Sequence, residues 1–283
     1  MAMAEVSIAE ALGWARQQLA GVDQETANAD ARMLLAELLG VDWSYLMTWP
    51  ERPLRPQQWQ QFQDWIARRQ ADEPLEYLTG TADFDGLKLQ VTPATLIPRE
   101  DTETLVRAAL ELSIPATAKV LDLGTGSGAI ALALKARRPE WQVFGCDNSA
   151  AALQVAQQNS ENLGLSVSWY QSDWFSAFSS SDKFDLIVSN PPYIAHNDPH
   201  VSDSVRRYEP ATALYADADG MADIGYIARA AKQFLTANGA LLFEHGWQQA
   251  DQVVLTLREN RYKKVKSWKD YASVSRVTGG FCD

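Results

Sequence analysis

Phe184-Asp185-Leu186-Ile187-Val188-Ser189-Asn190-Pro191-Pro192-Tyr193-Ile194 is the stretch whose reading decides the fold. Its apolar opening, Phe184 to Val188, predicts a buried strand, and two successive prolines stop that strand at its carboxyl end. In an open α/β sheet that end is where ligands bind. Asn190 presents a side-chain carbonyl there, the prolines stiffen the backbone, and Tyr193 offers a flat aromatic face. Such a group can grip a planar NH2: carbonyls take its two hydrogens while the ring stacks on the conjugated plane. The alternative is a strand that simply ends in a proline turn.

Upstream, Val120-Leu121-Asp122-Leu123-Gly124-Thr125-Gly126-Ser127-Gly128-Ala129-Ile130 runs from strand through a glycine loop into a helix. Glycines there permit tight turns and close backbone approach to a ligand. The Asp-x-Gly-x-Gly-x-Gly spacing lacks both the Walker lysine and the longer dinucleotide spacing. Asp147 closes the next strand, Val143-Phe144-Gly145-Cys146-Asp147, where it can accept hydrogen bonds from ribose hydroxyls or cap a helix near Ser149. Gln171-Ser172-Asp173-Trp174-Phe175 closes the strand after that. Its acid and aromatic suit an adenine, or else a cap beside a core tryptophan. In series, the three loops describe a nucleoside site across the switch point of a sheet.

Around these loops, strands expected near 119–123, 141–147, 166–171, 184–190 and 239–245 alternate with helices near 127–138, 149–162, 221–236 and 247–260. That rhythm predicts a mostly parallel sheet with right-handed crossovers, an α/β Rossmann-like fold. The segments near 262–269 and 274–281 have no helix between them and should pair antiparallel. Toward the amino terminus, Ser7 and Glu10 form a capping box before Ile8, Leu12, Ala15 and Leu19. A second helix is expected from about Asp23 to Leu39, and a third from Pro56 with the stripe Trp59, Phe62, Trp65 and Ile66, read as core. Leu87, Leu89 and Val91 alternate as in a strand, and Glu100 to Glu103 open a further helix through Leu112.

The chain has 283 residues, 46% of them hydrophobic, enough for a large core and two domains. Neither a signal peptide nor a membrane span is expected, and two cysteines exclude a disulfide scaffold, so a cytoplasmic location follows as an expectation. A net charge of −11 argues against wrapping DNA. The late cluster Arg258, Arg261, Lys263, Lys264, Lys266 and Lys269 reads as a solvated helix end and edge strand, with an RNA-facing patch as the other reading. His196, His200 and His245 lack a convincing partner set, so no metal is assigned.

Taken together, these residues resemble a class I S-adenosylmethionine-dependent methyltransferase: Asp122 to Gly128 its glycine motif, Asp147 its ribose acid, Asn190 to Tyr193 its amino-methylating motif. Leu78-Thr79-Gly80, Leu96-Ile97-Pro98-Arg99, Thr102-Glu103, Asn190-Pro191-Pro192-Tyr193-Ile194, Tyr208-Glu209-Pro210 and Gly220 narrow the resemblance, over essentially the whole chain, to the release factor glutamine methyltransferases. Glu100 stands where many members have proline, and His245 where many have isoleucine. The resemblance implies methylation of the glutamine side-chain nitrogen in the Gly-Gly-Gln motif of class 1 peptide chain release factors. It also implies that Gly124, Thr125, Gly126, Ser127, Gly128, Asp147, Asp173, Trp174 and Asn190 bind S-adenosylmethionine. Asn190, Pro191, Pro192 and Tyr193 would hold the glutamine, with Asn190, Pro191 and Tyr193 serving the chemistry. The expected organisation is a helical substrate-docking domain over 1–75, a linker with a short β-hairpin over 76–100, and the methyltransferase domain over 101–283. The expected protein is a monomer that binds neither DNA nor membrane. A ribosomal-protein glutamine methyltransferase shares this chemistry. A DNA adenine-N6 methyltransferase would use the same grip, and a non-catalytic cofactor-binding module is a third reading.

Overall fold

The computed structural model describes residues 5–19, 21 and 24–283. Asp23, the expected start of the second helix, and the first four residues of the expected helical domain lie outside them. Two compact units divide the chain, Met1–Gly80 and Thr81–Asp283.

The first unit is helical: α1 (Ile8–Gln18), α2 (Gln24–Leu39), α3 (Trp43–Thr48), α4 (Pro56–Gln70) and α5 (Leu75–Thr79). The capping box forms, with Ser7 Oγ accepting from the Glu10 amide at 3.3 Å and Glu10 Oε2 accepting from the Ser7 amide at 2.8 Å. Ile8, Leu12, Leu34, Leu35, Leu46, Phe62 and Ile66 fill its core. The aromatic stripe of α4 joins that core: Trp59 and Phe62 pack on it, and Trp14 meets Trp59 edge-on with centroids 5.0 Å apart. Arg69 Nε donates to Asp30 Oδ2 at 2.7 Å, tying α4 to α2 through a largely buried ion pair. The short helices α3 and α5, of six and five residues, hold too few turns to show a period in sequence.

The second unit opens with a hairpin, β1 (Thr81–Phe84) against β2 (Leu87–Gln90), turned at Asp85-Gly86 with φ of 47° and 78°. Two positive φ values give the turn the twist that antiparallel strands need. A 3-10 turn, Glu100–Thr102, leads into α6 (Glu103–Glu111). Then follow β3 (Lys119–Leu123), α7 (Ala129–Arg137), β4 (Gln142–Asp147), α8 (Ala150–Leu163), β5 (Ser168–Gln171) and β6 (Phe184–Ser189). The short helices α9 (Asp203–Tyr208) and α10 (Ala211–Leu214) precede α11 (Ala222–Ala230), β7 (Leu235–Glu244), α12 (Ala250–Glu259), β8 (Lys263–Lys269) and β9 (Ser275–Phe281).

The seven-stranded sheet runs β5-β4-β3-β6-β7-β9-β8, parallel from β5 to β7, with β9 antiparallel between β7 and β8. Its two faces explain the continuous apolar runs. Val120, Leu186, Val188 and Leu242 pack with α6 and α7, while Leu121, Leu123, Ile187, Leu241 and Phe243 pack with α11 and α12. After β3 the chain builds outward to β5, then returns to lay β6 on the other side of β3. The strand ends around that reversal form the crevice.

Two boundaries differ most from expectation. The helix expected over 221–236 stops at Ala230, followed by a 3-10 turn, and β7 begins at Leu235 rather than near 239. Leu235 pairs with Phe184 and Ala240 with Leu186, so the residues between bulge, with Asn238 at φ 65°. The late basic residues lie on the edge strand β8 and its approach; Lys263 pairs with Asp283 at 3.4 Å and Lys266 with Glu111 at 3.7 Å. Lysines on an exposed edge discourage pairing with another sheet. Among the described residues, no helix is long and apolar enough to cross a membrane.

Candidate active site

The loops leaving β3, β4, β5 and β6 meet at one end of the sheet. Beyond β3, the amides of Gly124 and Thr125 both donate to the Cys146 carbonyl at 2.9 Å, pinning the glycine loop to β4. Gly128 has φ 83°, and a Cβ there would lie 2.9 Å from Trp169, so only glycine fits where α7 begins. Asn159 Nδ2 supports the loop from α8 by donating to the Ser127 carbonyl at 2.9 Å. Asp122, fully buried under the loop, accepts from Thr125 Oγ1 at 2.6 Å, and desolvation pushes its pKa up to about 7.

Asp147 meets the cap reading of its sequence and stands on the cleft wall. Its Oδ2 accepts from the Gly126 amide and its Oδ1 from the Ser149 amide, each at 2.9 Å, so it braces the glycine loop and the entry to α8. Each oxygen keeps a further lone pair, and the residue lines the cleft. After β5, Trp174 takes φ 48°, which brings its ring over Gly124, where a Cβ would lie 3.5 Å from it. Asp223 hydrogen-bonds Trp174, and its pKa is raised by burial and then by repulsion from Asp173 and Asp217. That corner of the site is acidic.

At the end of β6, Asn190 Nδ2 donates to Thr102 Oγ1 at 3.4 Å, and among the described residues the Asn190 side-chain carbonyl has no hydrogen-bond partner. The Tyr193 hydroxyl donates to Glu244 Oε1 at 3.3 Å. Glu244 is buried at the end of β7, and desolvation lifts its pKa to about 7. Burial likewise raises the Tyr193 phenol. Gln249 holds the Tyr193 backbone, its Nε2 donating to the Tyr193 carbonyl at 3.0 Å while its Oε1 accepts from the Gly246 amide at 2.8 Å. Behind Tyr193, Ala218 and Asp219 are left-handed at φ 52° and 54°, followed by Gly220 at φ 82°. A Cβ on Gly220 would lie 2.0 Å from the Tyr193 carbonyl oxygen.

One cleft therefore gathers Gly124, Thr125, Gly126, Ser127, Asp147, Asp173, Trp174, Asn190 and Pro192. Three anticipated residues are not on its wall. Gly128 packs beneath it, Pro191 is buried behind it, and Tyr193 lines a second hollow with Arg99, Glu244, Trp247 and Arg276. Asn190 lines both hollows. The far wall of the cleft comes from Ala94 to Pro98 and from Pro210 to Ala213. Buried Glu209 latches these segments, pairing with Arg99 and accepting from the Ile97 amide at 3.2 Å.

The sequence pattern alone assigns no role to Glu244, Gln249 or Glu209. Glu244 had a usable signal, since an acid ends the apolar run of β7 just as Asp147 ends β4. His245 is a buried framework residue: Nδ1 lies 2.9 Å from the Gly246 carbonyl and so carries the proton, and Nε2 accepts from Thr278 Oγ1 at 2.8 Å. Among the described residues, no group of His, Cys, Asp and Glu is assembled that could hold a metal ion.

Comparison with known proteins adds three findings. Residues 10–80 match the PrmC N-terminal domain, and residues 101–208 match the Methyltransferase small domain. Release factor glutamine methyltransferases from Shewanella oneidensis (47% identity, 96% of this chain and 95% of the relative) and Escherichia coli (41%, 94% and 97%) are similar along nearly their whole length. In fold, the chain resembles a solved methyltransferase from Pyrococcus furiosus, with a TM-score of 0.52 at 16% identity over 77% of this chain and 96% of that one.

Proposed function

The chain belongs to the release factor glutamine methyltransferases, and from that premise we propose that it moves a methyl group from S-adenosylmethionine to the side-chain nitrogen of the glutamine in the Gly-Gly-Gln motif of class 1 peptide chain release factors. The observation that carries this reading is Asn190, which lines both the cleft of the glycine loop and the hollow of Tyr193. A donor held in one and an acceptor held in the other would meet at its carbonyl.

The cleft suits this cofactor. Asp147 has lone pairs for ribose hydroxyls, Trp174 offers an aromatic face, and Ile130 and Ala152 give apolar wall. When bound, S-adenosylmethionine supplies a methyl already activated on a sulfonium, so the protein's task is alignment. An amide nitrogen is a poor nucleophile because its lone pair is delocalised into the carbonyl. Asn190 Oδ1 and the Pro191 carbonyl accept the two N–H hydrogens of the glutamine, and the Tyr193 ring packs on its plane. The nitrogen is thereby aimed at the methyl. Such positioning is worth about 7 to 11 kcal/mol in favourable cases. The same carbonyls stabilise positive charge developing on nitrogen, and the proton leaves after transfer.

The rest of the reading concerns the partner. The helical unit docks the release factor, the enzyme works as a monomer in the cytoplasm, and DNA is not a substrate, in keeping with the charge of −11. The test incubates the protein and labelled cofactor with a class 1 release factor, a ribosomal-protein mixture and duplex DNA, followed by peptide mapping. One methyl on the Gly-Gly-Gln glutamine is expected, lost in Asn190→Ala while cofactor affinity largely survives. Label on DNA with an unmodified peptide would reverse the assignment.

A further inference from the structure

Pro191 and Pro192 have no N–H, so the two residues between Asn190 and Tyr193 cannot be tied through a backbone donor. Only carbonyls remain, and methyl transfer as proposed above needs the Pro191 carbonyl for the incoming NH2. The grip must therefore be braced from its far end. There Gln249 closes a three-way clasp. Its Nε2 donates to the Tyr193 carbonyl at 3.0 Å and to the Asp219 carbonyl at 3.1 Å, while its Oε1 accepts from the Gly246 amide at 2.8 Å. Both hydrogens of the NH2 are occupied. One side chain thus joins the loop after β6, the turn before α11 and the loop after β7.

The backbone around the clasp is shaped to it. A Cβ on Gly220 would lie 2.7 Å from Gln249 Nε2, and one on Gly246 would lie 2.9 Å from Gln249 Oε1 and 3.7 Å from Tyr193 Cδ2. Two glycines therefore let the clasp close beside the Tyr193 ring. The turn that supplies the second carbonyl is strained, since Ala218 and Asp219 are left-handed without being glycines. Backbone in that region persists where surrounding contacts impose it. Gln249 makes such a contact, on the Asp219 carbonyl itself. It lines the acceptor hollow with Tyr193 and Asn190 and is absent from the wall of the nucleoside cleft.

We propose, on the function reading above, that Gln249 is a positioning residue: by holding the Tyr193 carbonyl to the turn at Asp219, it sets where the Tyr193 ring lies over the glutamine amide. Its own amide is engaged by the protein through all three bonds, so it acts through Tyr193 rather than on the substrate. A ring that slides or tilts no longer keeps the nitrogen in line with the methyl. The effect falls on the transfer step and leaves cofactor binding alone.

Shape and hydrogen bonding can be separated at this position. Gln249→Glu keeps the length and the oxygen that holds Gly246, but replaces the two donors with an acceptor. Gln249→Met keeps the length and makes none of the three bonds. Purified variants are assayed in single turnover on a class 1 release factor at saturating cofactor, with S-adenosylhomocysteine affinity measured by calorimetry on the same samples. Both are expected to lose about ten- to hundredfold in the rate constant, with S-adenosylhomocysteine affinity within about twofold of wild type. Gln249→Glu should be no faster than Gln249→Met, although it is the closer in shape. In a Tyr193→Ala background, Gln249→Met should cost less than about threefold, because no ring is left to aim. A wild-type rate in Gln249→Glu would mean that the side chain only fills space. A full further loss in the Tyr193→Ala background, or cofactor affinity falling in step with the rate, would mean that it holds the fold. Each of these results would overturn the proposal. An inactive wild type on the release factor would instead remove the function reading on which it rests.

Discussion

Asp122 and Glu244 are carboxyls whose pKa values desolvation has pushed up to about 7. An unfolded chain would titrate both near 4. Between those values the folded protein holds protons that the unfolded chain has released. Their contribution to stability is therefore full below about pH 4 and is lost as pH rises through 7. Each group costs on the order of 3 kcal/mol once ionised in place. His245, lowered by burial, acts in the opposite sense as pH falls through its ordinary range, so the comparison must be made between variants. Thermal melts of the ligand-free protein from pH 5 to 8 should show Asp122→Asn and Glu244→Gln gaining on wild type as pH rises. Parallel profiles would show that the two carboxyls stay ionised throughout. Asp147 gives a second prediction at this scale. Asp147→Ala removes the acceptor offered to the ribose and the brace under Gly126 and Ser149. Calorimetric affinity for S-adenosylmethionine should fall by about 1.5 to 3 kcal/mol; an unchanged value would take Asp147 out of the site. Positions such as Asp147, Asp173 and Asn190 were legible because each follows a predicted strand of an α/β sheet. Their supports were not. Glu244 meets Tyr193 across 51 residues, Gln249 meets it across 56, and Thr102 meets Asn190 across 88. No local pattern encodes contacts of that range.

Elements with a strong period were read most closely. β3 matches its expected range of 119–123, and β6, β8 and β9 fall within a residue of theirs, because apolar strands bounded by breakers leave little choice. The stretch from 203 to 220 shows no period that predicts an element, and it holds α9, α10 and the left-handed turn. Helices of four to six residues draw their stability from packing rather than from a repeated pattern. The bulge in β7 was hidden for another reason, since Thr236 to Gly239 look like loop until Leu235 pairs with Phe184. The left-handed turn matters most for function, because Gly220 presses on the backbone of Tyr193. Gly220→Ala would bring a Cβ against a carbonyl at a φ that alanine adopts only at a cost of roughly 1 to 3 kcal/mol. The expected result is a lower melting temperature together with a large loss of methyl transfer, since Tyr193 must give way. A variant with wild-type stability and turnover would mean that the turn can relax without moving the grip.

At the scale of the molecule, the cleft and the second hollow are built wholly from residues of the second unit. Among the described residues, the helical unit contributes none of those walls. A protein beginning at Thr81 should bind S-adenosylmethionine about as well as the full chain and methylate a short Gly-Gly-Gln peptide, yet act poorly on the intact release factor. Equal rates on the intact factor would end the docking role. The insertion of β9 between β7 and β8 has a further consequence, in the history of the chain on the ribosome. β7 is made well before the strand that covers its edge, and at roughly 5 to 20 residues per second the 37 residues from Glu244 to Phe281 take about 2 to 7 seconds. Until β9 is in place, Leu241, Leu242 and Phe243 lie on a strand with one side unpaired. A premature stop just before Ser275 would make the condition permanent: β8 would lose the only strand it pairs with among the described residues, and β7 would stay open. Such a product should sediment with aggregates and chaperones while a chain that includes β9, made alongside it, stays in the supernatant.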